Sequence, residues 1–177
     1  MIITISGEAG SGKSTVGKIV AEKIGFKHYS IGDLLRELAV KKGISLLEIS
    51  KLAESDRAVD DYLDNRQVEL GKQKNLVLDS RLGFHFIPKS FKVFLTASQE
   101  EAARRIFSAQ RDVEKENSSL KKTIENIRKR KASESLRYSK LYNADPYDES
   151  NYDLVIDTTK LSPEEVAKKI VSESKLA

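Results

Sequence analysis

Apolar and polar positions alternate along this chain in short and long blocks. Ile2, Ile3 and Ile5 make a short apolar run, the mark of a buried strand. After a glycine-rich break, Val16, Ile19, Val20 and Ile24 recur at helical spacing, with Lys18, Glu22 and Lys23 on the other side. Phe26 to Tyr29 reads as a second short strand. Ile31, Leu34, Leu35 and Leu38 form a helical stripe that ends before Gly43. Ser45-Leu-Leu-Glu48 is a capping-box pattern opening another helix, and Asp56 to Lys74 reads as a third. Leu76 to Leu78 is an apolar strand ending in Asp79, followed by an expected loop from Ser80 to Ser90. Phe91 to Thr96 is a fourth strand, and Ser98 to Glu101 is a second capping box opening a helix to about Phe107. Ser108 to Ser119 is polar without periodicity, so a mobile loop is expected. A long helix follows to about Tyr142, then a turn-rich connection to Tyr152 and a fifth strand at Leu154 to Ile156. Ser162 caps a last helix, with Pro163 at its first position and Glu164 and Glu165 at its positive end.

Short apolar strands alternating with helices predict an α/β fold: a five-stranded parallel sheet with helices on both faces. At 177 residues the chain fits one domain, with no internal repeat and no linker. Ligands in such sheets sit beyond the carboxyl ends of the strands. The break after the first strand and Asp79-Ser80-Arg81 after the third both fall at that edge.

The break is Gly7-Glu8-Ala9-Gly10-Ser11-Gly12-Lys13-Ser14, followed by Thr15. It fits G-x-x-x-x-G-K-[ST] between a strand and a helix, the arrangement that cradles nucleotide phosphates. Backbone N–H groups converge on the anion and the helix N-terminus adds its dipole. Lys13 would reach the β- and γ-phosphates of a nucleoside triphosphate, and the Ser14 hydroxyl would ligate Mg²⁺. Asp79 could hold the same ion through water, and Arg81 could bind a phosphate; a turn aspartate beside a surface arginine is the alternative.

Composition narrows the class. Hydrophobic residues are 39% and charged residues 33%, as in a charge-rich folded protein. The absence of Cys excludes disulfides and thiolate metal sites. The first strand begins at once and no apolar run reaches membrane-spanning length, so a cytoplasmic protein without membrane contact is expected. Net charge is +4 but uneven: Arg104 to Lys140 holds twelve Lys/Arg against five Asp/Glu. Such a segment suits a polyanion, either nucleic acid or the phosphates of a nucleotide pair.

The long helix places charge where its own pattern predicts core. The stripe Leu120, Ile124, Ile127 continues into Arg130, Glu134 and Arg137, four and three residues apart on one face. Buried arginines need anionic partners; Glu134 is one and phosphates would be others. A solvated helix end with ordinary ion pairs is the competing reading. Arg36 lies off the leucine stripe near Asp33, either in a surface pair or facing a ligand. Arg104, Arg105 and Arg111 border or lie in the expected loop, placed to swing over a phosphoryl group or only to keep the loop soluble. His28 and His85 are isolated and read as structural or surface residues rather than catalytic ones.

In order along the chain, Gly7–Ser14, Ser30-Ile-Gly-Asp-Leu-Leu-Arg36, Leu78-Asp-Ser-Arg81, the arginines from Arg104 and Arg130…Glu134…Arg137-Tyr138 resemble the nucleoside monophosphate kinases. The nearest resemblance is to the short, archaeal-type cytidylate kinases, supported by the tail Tyr142-Asn-Ala-Asp145…Asn151 to Pro163. That resemblance implies a P-loop NTPase three-layer fold with a core of 1–30, 75–107 and 120–177, acceptor-binding helices over 31–74, and a lid at about 108–119. It implies Mg²⁺-dependent transfer of the ATP γ-phosphoryl group to CMP or dCMP by a monomer that binds no nucleic acid. Lys13, Arg81, Arg130 and Arg137 would be catalytic. Gly7, Glu8, Ala9, Gly10, Ser11, Gly12, Lys13, Ser14, Thr15, Arg105 and Arg111 would bind ATP. Asp33, Arg36, Arg81, Arg130, Glu134 and Arg137 would bind the acceptor, Glu134 through its sugar, and Ser14 and Asp79 would hold the metal. Leu82 stands where many members have Asp, and Ala109 where a lid arginine is usual. Base readers are left open among Asp61, Asn65, Arg66 and Gln67. An adenylate or uridylate kinase, or a nucleic-acid-binding NTPase, are the rival readings.

Overall fold

The computed structural model describes residues 1–109 and 114–175. Its sheet is five-stranded and wholly parallel, in the order β2-β3-β1-β4-β5, from Ile2–Gly7 (β1), Lys27–Ser30 (β2), Leu76–Asp79 (β3), Phe91–Thr96 (β4) and Leu154–Asp157 (β5). Register pairs Ile5 with Asp79 and Gly7 with Leu95, so the glycine loop and Asp79 leave the sheet at one edge, as expected.

Strand alternation decides which helices cover which face. Ile3, Ile5, Val77, Val93 and Leu95 pack with Val16 and Val20 of Lys13–Ile24 (α1) and with Val166, Ala167 and Ile170 of Pro163–Ser174 (α8). Leu76 and Leu78 turn the other way, into a second cluster with Ile31–Lys42 (α2), Leu46–Ser55 (α3) and Ala58–Gly71 (α4). A period of two along β3 thus feeds two separate cores.

Helix starts follow their caps. Ser45 and Ser162 form complete capping boxes with Glu48 and Glu165. The box expected at Ser98 forms only in half. Ser98 Oγ accepts from the Glu101 N–H at 3.3 Å, but the Glu101 carboxylate turns to Arg104 and Arg105, and the Ser98 N–H donates to Thr159.

Two segments depart from expectation. Gly83–Phe86 (α5) is a helical turn inside the expected loop, because Phe84 and Ile87 are buried and pull the chain against the sheet. Gly83 lets this turn approach β1 closely: a Cβ would stand 3.0 Å from the Thr4 side chain. Gln99–Ala109 (α6) runs past the expected end at Phe107. The described part of the expected mobile loop is tied down, with Glu114 buried, Glu116 Oε1 accepting from the Leu47 N–H at 3.3 Å and Asn126 Nδ2 donating to the Glu116 carbonyl. Leu120–Tyr142 (α7) then spans the molecule as one helix. Among the described residues no helix is long and apolar enough to cross a membrane.

Candidate active site

The loop between β1 and α1 is shaped by its glycines. Gly7, Gly10 and Gly12 take φ of 144°, 79° and 87°, conformations that L side chains rarely adopt. Gly7 also lies so close to the Leu95 backbone that no Cβ fits. The Glu8 carbonyl accepts from Ser11 Oγ at 2.9 Å and from Lys13 Nζ at 2.7 Å, so the lysine folds back over its own loop. Burial, with Arg81 adding to it, pushes the Lys13 amine down to about 7. An ammonium so poorly compensated awaits an anion.

Asp79, at the end of β3, accepts from Ser14 Oγ and, at 3.0 Å, from Ser30 Oγ. Ser30 also caps α2 by accepting from the Asp33 N–H at 3.2 Å. One carboxylate therefore joins the glycine loop to the start of α2. Its oxygen donors are the hard ligands that Mg²⁺ prefers, so the residues fit that ion.

The charges on α7 lie inward. Glu134 and Arg137 are buried, as their place on the apolar stripe predicted, and the solvated-end reading does not hold. Arg81 Nε donates to Glu134 Oε2 at 2.7 Å, and Tyr147 Oη donates to the same oxygen at 2.7 Å. Arg130 reaches Glu134 Oε1 at 3.4 Å, while its buried Nε has no hydrogen-bond partner among the described residues. Burial alone would raise the Glu134 carboxyl, but Arg81 and Arg130 outweigh it and hold it at about 2.

These groups meet in one cavity of about 460 Å³. Its wall brings together the expected Ala9, Gly10, Ser11, Gly12, Lys13, Ser14, Thr15, Arg36, Asp79, Arg81, Arg105, Arg130 and Glu134. Other expected residues stand elsewhere. Gly7 carries the turn behind the wall. Glu8 lines a small side pocket and pairs with Lys131 Nζ at 2.6 Å. Asp33 is outside the wall and holds Arg36. Arg105 lines the cavity but is also anchored, donating to the Thr158 carbonyl at 2.9 Å and pairing with Glu101. Arg111 lies outside the described residues.

Arg137 corrects an expectation. It does not line the cavity; its Nε forms an ion pair with Asp60 Oδ2 at 3.0 Å and its Nη1 donates to the Ser50 carbonyl at 3.2 Å. The physical reason is Asp60: a carboxylate buried on α4 needs a cation, and Arg137 forms the ion pair with it. Asp60 and Asp64 both line the cavity and were missed from sequence. Asp60 carried a signal, since it falls among the inward positions Val59, Leu63 and Leu70 of the same helix; Asp64, at the margin of that face, carried none. Of the four base readers left open, Asp61 and Asn65 are exposed, Arg66 pairs with Glu69, and only Gln67 reaches the cavity.

The cavity thus holds a glycine loop, a half-buried lysine and two arginines around one buried glutamate. The profile of the cytidylate kinase-like family matches residues 2–160. The chain belongs to that family. A cytidylate kinase from Methanobrevibacter smithii is 37% identical over 99% of both chains. One from Methanocaldococcus jannaschii is 42% identical, over 94% of this chain and 93% of the relative. Among solved structures, shikimate kinase from Bacteroides thetaiotaomicron overlays with a TM-score of 0.71 at 14% identity, covering 100% of this chain and 99% of that one. A gluconokinase from Sinorhizobium meliloti overlays at 0.57 and 18% identity, covering 98% and 91%. Those likenesses show the P-loop kinase fold on which this cytidylate kinase-like chain is built.

Proposed function

We propose that the protein transfers the γ-phosphoryl group of ATP to CMP or dCMP, giving ADP and the corresponding diphosphate. The observation that carries this reading is the cavity whose wall holds the glycine loop and Lys13 together with Arg36, Arg130 and Glu134. Two phosphate seats in one enclosure suit transfer between two anions. Family membership and the cytidylate kinase relatives support the choice of acceptor.

The chemistry asks little of acid–base groups. An acceptor phosphate oxygen is already anionic; it attacks the γ-phosphorus while the bond to the bridging oxygen breaks and ADP leaves. Catalysis is positioning and stabilisation of spread charge. The loop N–H groups and Lys13 hold the donor. Arg81 and Arg130, kept in place by Glu134, supply donors to the transferring group, and Arg36, steered by Asp33, holds the acceptor phosphate. Mg²⁺ held by Ser14 and Asp79 would neutralise charge on the donor phosphates. Arg137 acts through Asp60 rather than on phosphate.

Internal pairing within the basic segment favours the kinase reading over the nucleic-acid one. Arg104, Lys122, Arg130, Lys131 and Arg137 all pair with carboxylates of the chain itself.

ADP release from Mg·ATP with a panel of CMP, dCMP, UMP, AMP and GMP tests the proposal. A cytidine acceptor should lead by about tenfold or more, some 1.4 kcal/mol of transition-state discrimination. A lead by AMP would keep the phosphate chemistry and refute the acceptor; no turnover with any monophosphate would refute the kinase reading.

A further inference from the structure

The acceptor side of the cavity is bounded by a face of α4 whose polar residues the phosphate chemistry does not use. Asp60, Asp64 and Gln67 follow at steps of four and three, so they share one face of the helix, and all three line the cavity. Asp60 is neutralised by Arg137. Asp64 has no such cation among the described residues. Its Oδ2 accepts from the Tyr142 hydroxyl, and its Oδ1 lies 3.4 Å from Gln67 Nε2. Gln67 is held in turn: its Oε1 accepts from Ser80 Oγ, which fixes the amide with Nε2 toward Asp64. The pair therefore offers an acceptor and a donor side by side. Leu35, Leu63 and Tyr138 line the same cavity and supply apolar surface for a flat ring. Burial pushes the Asp64 carboxyl up to about 6, which still leaves it an anionic acceptor at neutral pH.

We propose that Asp64 and Gln67 read the base of the acceptor nucleotide, Asp64 accepting from the exocyclic amine of cytosine and Gln67 Nε2 donating to the adjacent ring nitrogen. Cytosine carries that donor–acceptor order on neighbouring atoms, N4–H and N3. Uracil carries the reverse, O4 and N3–H, so both contacts with it become repulsive. A site whose buried polar groups are left unpaired by the wrong base rejects it strongly. Adenine shares the amine-and-nitrogen order, so exclusion of AMP falls to the size of the slot. The inference rests on the cytidylate reading and deepens it by naming the groups that separate CMP from UMP.

The test is kcat/KM for CMP and for UMP at saturating Mg·ATP, in wild type, Asp64→Asn and Tyr142→Phe. Wild type should prefer CMP. Asp64→Asn replaces an acceptor by a group that can also donate to O4, so the CMP/UMP ratio should fall about tenfold or more while KM for ATP stays within about twofold. A ratio unchanged within about twofold overturns the inference, as does a wild type that uses the two equally well. If Asp64→Asn does not fold, Tyr142→Phe decides. It keeps the carboxylate but frees it, so a ratio lowered about threefold supports the inference and an unchanged one overturns it. A wild type that phosphorylates no pyrimidine monophosphate refutes the proposed function itself, before any variant is read.

Discussion

Arg81, at the end of β3, and Glu134, midway along α7, meet at 2.7 Å across 53 residues of chain. Glu134 is buried and Arg81 half-buried in the cavity wall, and Arg130 and Tyr147 converge on the same carboxylate. The pair fixes the distance between the phosphate end of the sheet and the helix that closes it. Removing Glu134 would leave two arginines in a poorly solvated site without their anion. Glu134→Ala should therefore cost stability on the order of 3–5 kcal/mol, read as a fall in denaturation midpoint, and should raise the acceptor KM. A midpoint and KM both equal to wild type would assign the carboxylate no part in either.

Lys13 is the only loop side chain that carries a positive charge. Lys13→Ala should lower kcat by about two to three orders of magnitude, the usual cost of one lost transition-state donor. The thermal midpoint of the apo protein should hold or rise, because the buried amine is unfavourably placed without phosphate. Turnover near the wild-type rate would remove the lysine from the mechanism.

Arg36 faces the cavity from α2 and is steered by Asp33. Arg36→Ala should raise the acceptor KM by about tenfold, one charge-assisted contact, and leave the KM for ATP in place. Initial-rate kinetics with each substrate varied in turn separate the two. An effect on ATP alone would put Arg36 on the donor side.

His28 supplies a pH dependence of stability. On β2 it packs against Gly17, where its Nε2 has no partner, and burial lowers its pKa below 6.5, with Asp79 and Asp33 opposing and Lys18 reinforcing the shift. The folded protein keeps the ring neutral, so the unfolded chain binds the proton more readily. Stability from this group is intact above pH 6.5 and is lost as pH falls through the unfolded value. Asp64, raised to about 6, works in the opposite direction as pH falls. Denaturation midpoints at pH 7.5 and 5.5 should thus drop more for wild type than for His28→Gln; equal drops would show that His28 does not titrate on unfolding.

The sequence by itself determined what depends on neighbours along the chain. Strand, glycine loop and helix follow from an apolar run, residues that tolerate positive φ and a 3.6 period, all within the first 24 residues. The caps at Ser45 and Ser162 are equally local. The inward face of α7 was legible because Arg130, Glu134 and Arg137 occupy positions that the apolar stripe reserves for the core. Tertiary structure decided which partner each of those charges received. Arg81 and Arg130 went to Glu134 and kept donors for a ligand, whereas Arg137 went to Asp60, a residue 77 positions away that no local pattern joins to it. The half-formed box at Ser98 has the same origin, since Arg104 and Arg105 compete for Glu101 and Thr159 arrives from beyond β5. Asp64 and Gln67 acquire their meaning only when Tyr142 and Ser80, distant in sequence, hold them side by side. A period along the chain says which way a side chain faces; what it faces is set by packing of elements whose spacing in sequence carries no such information.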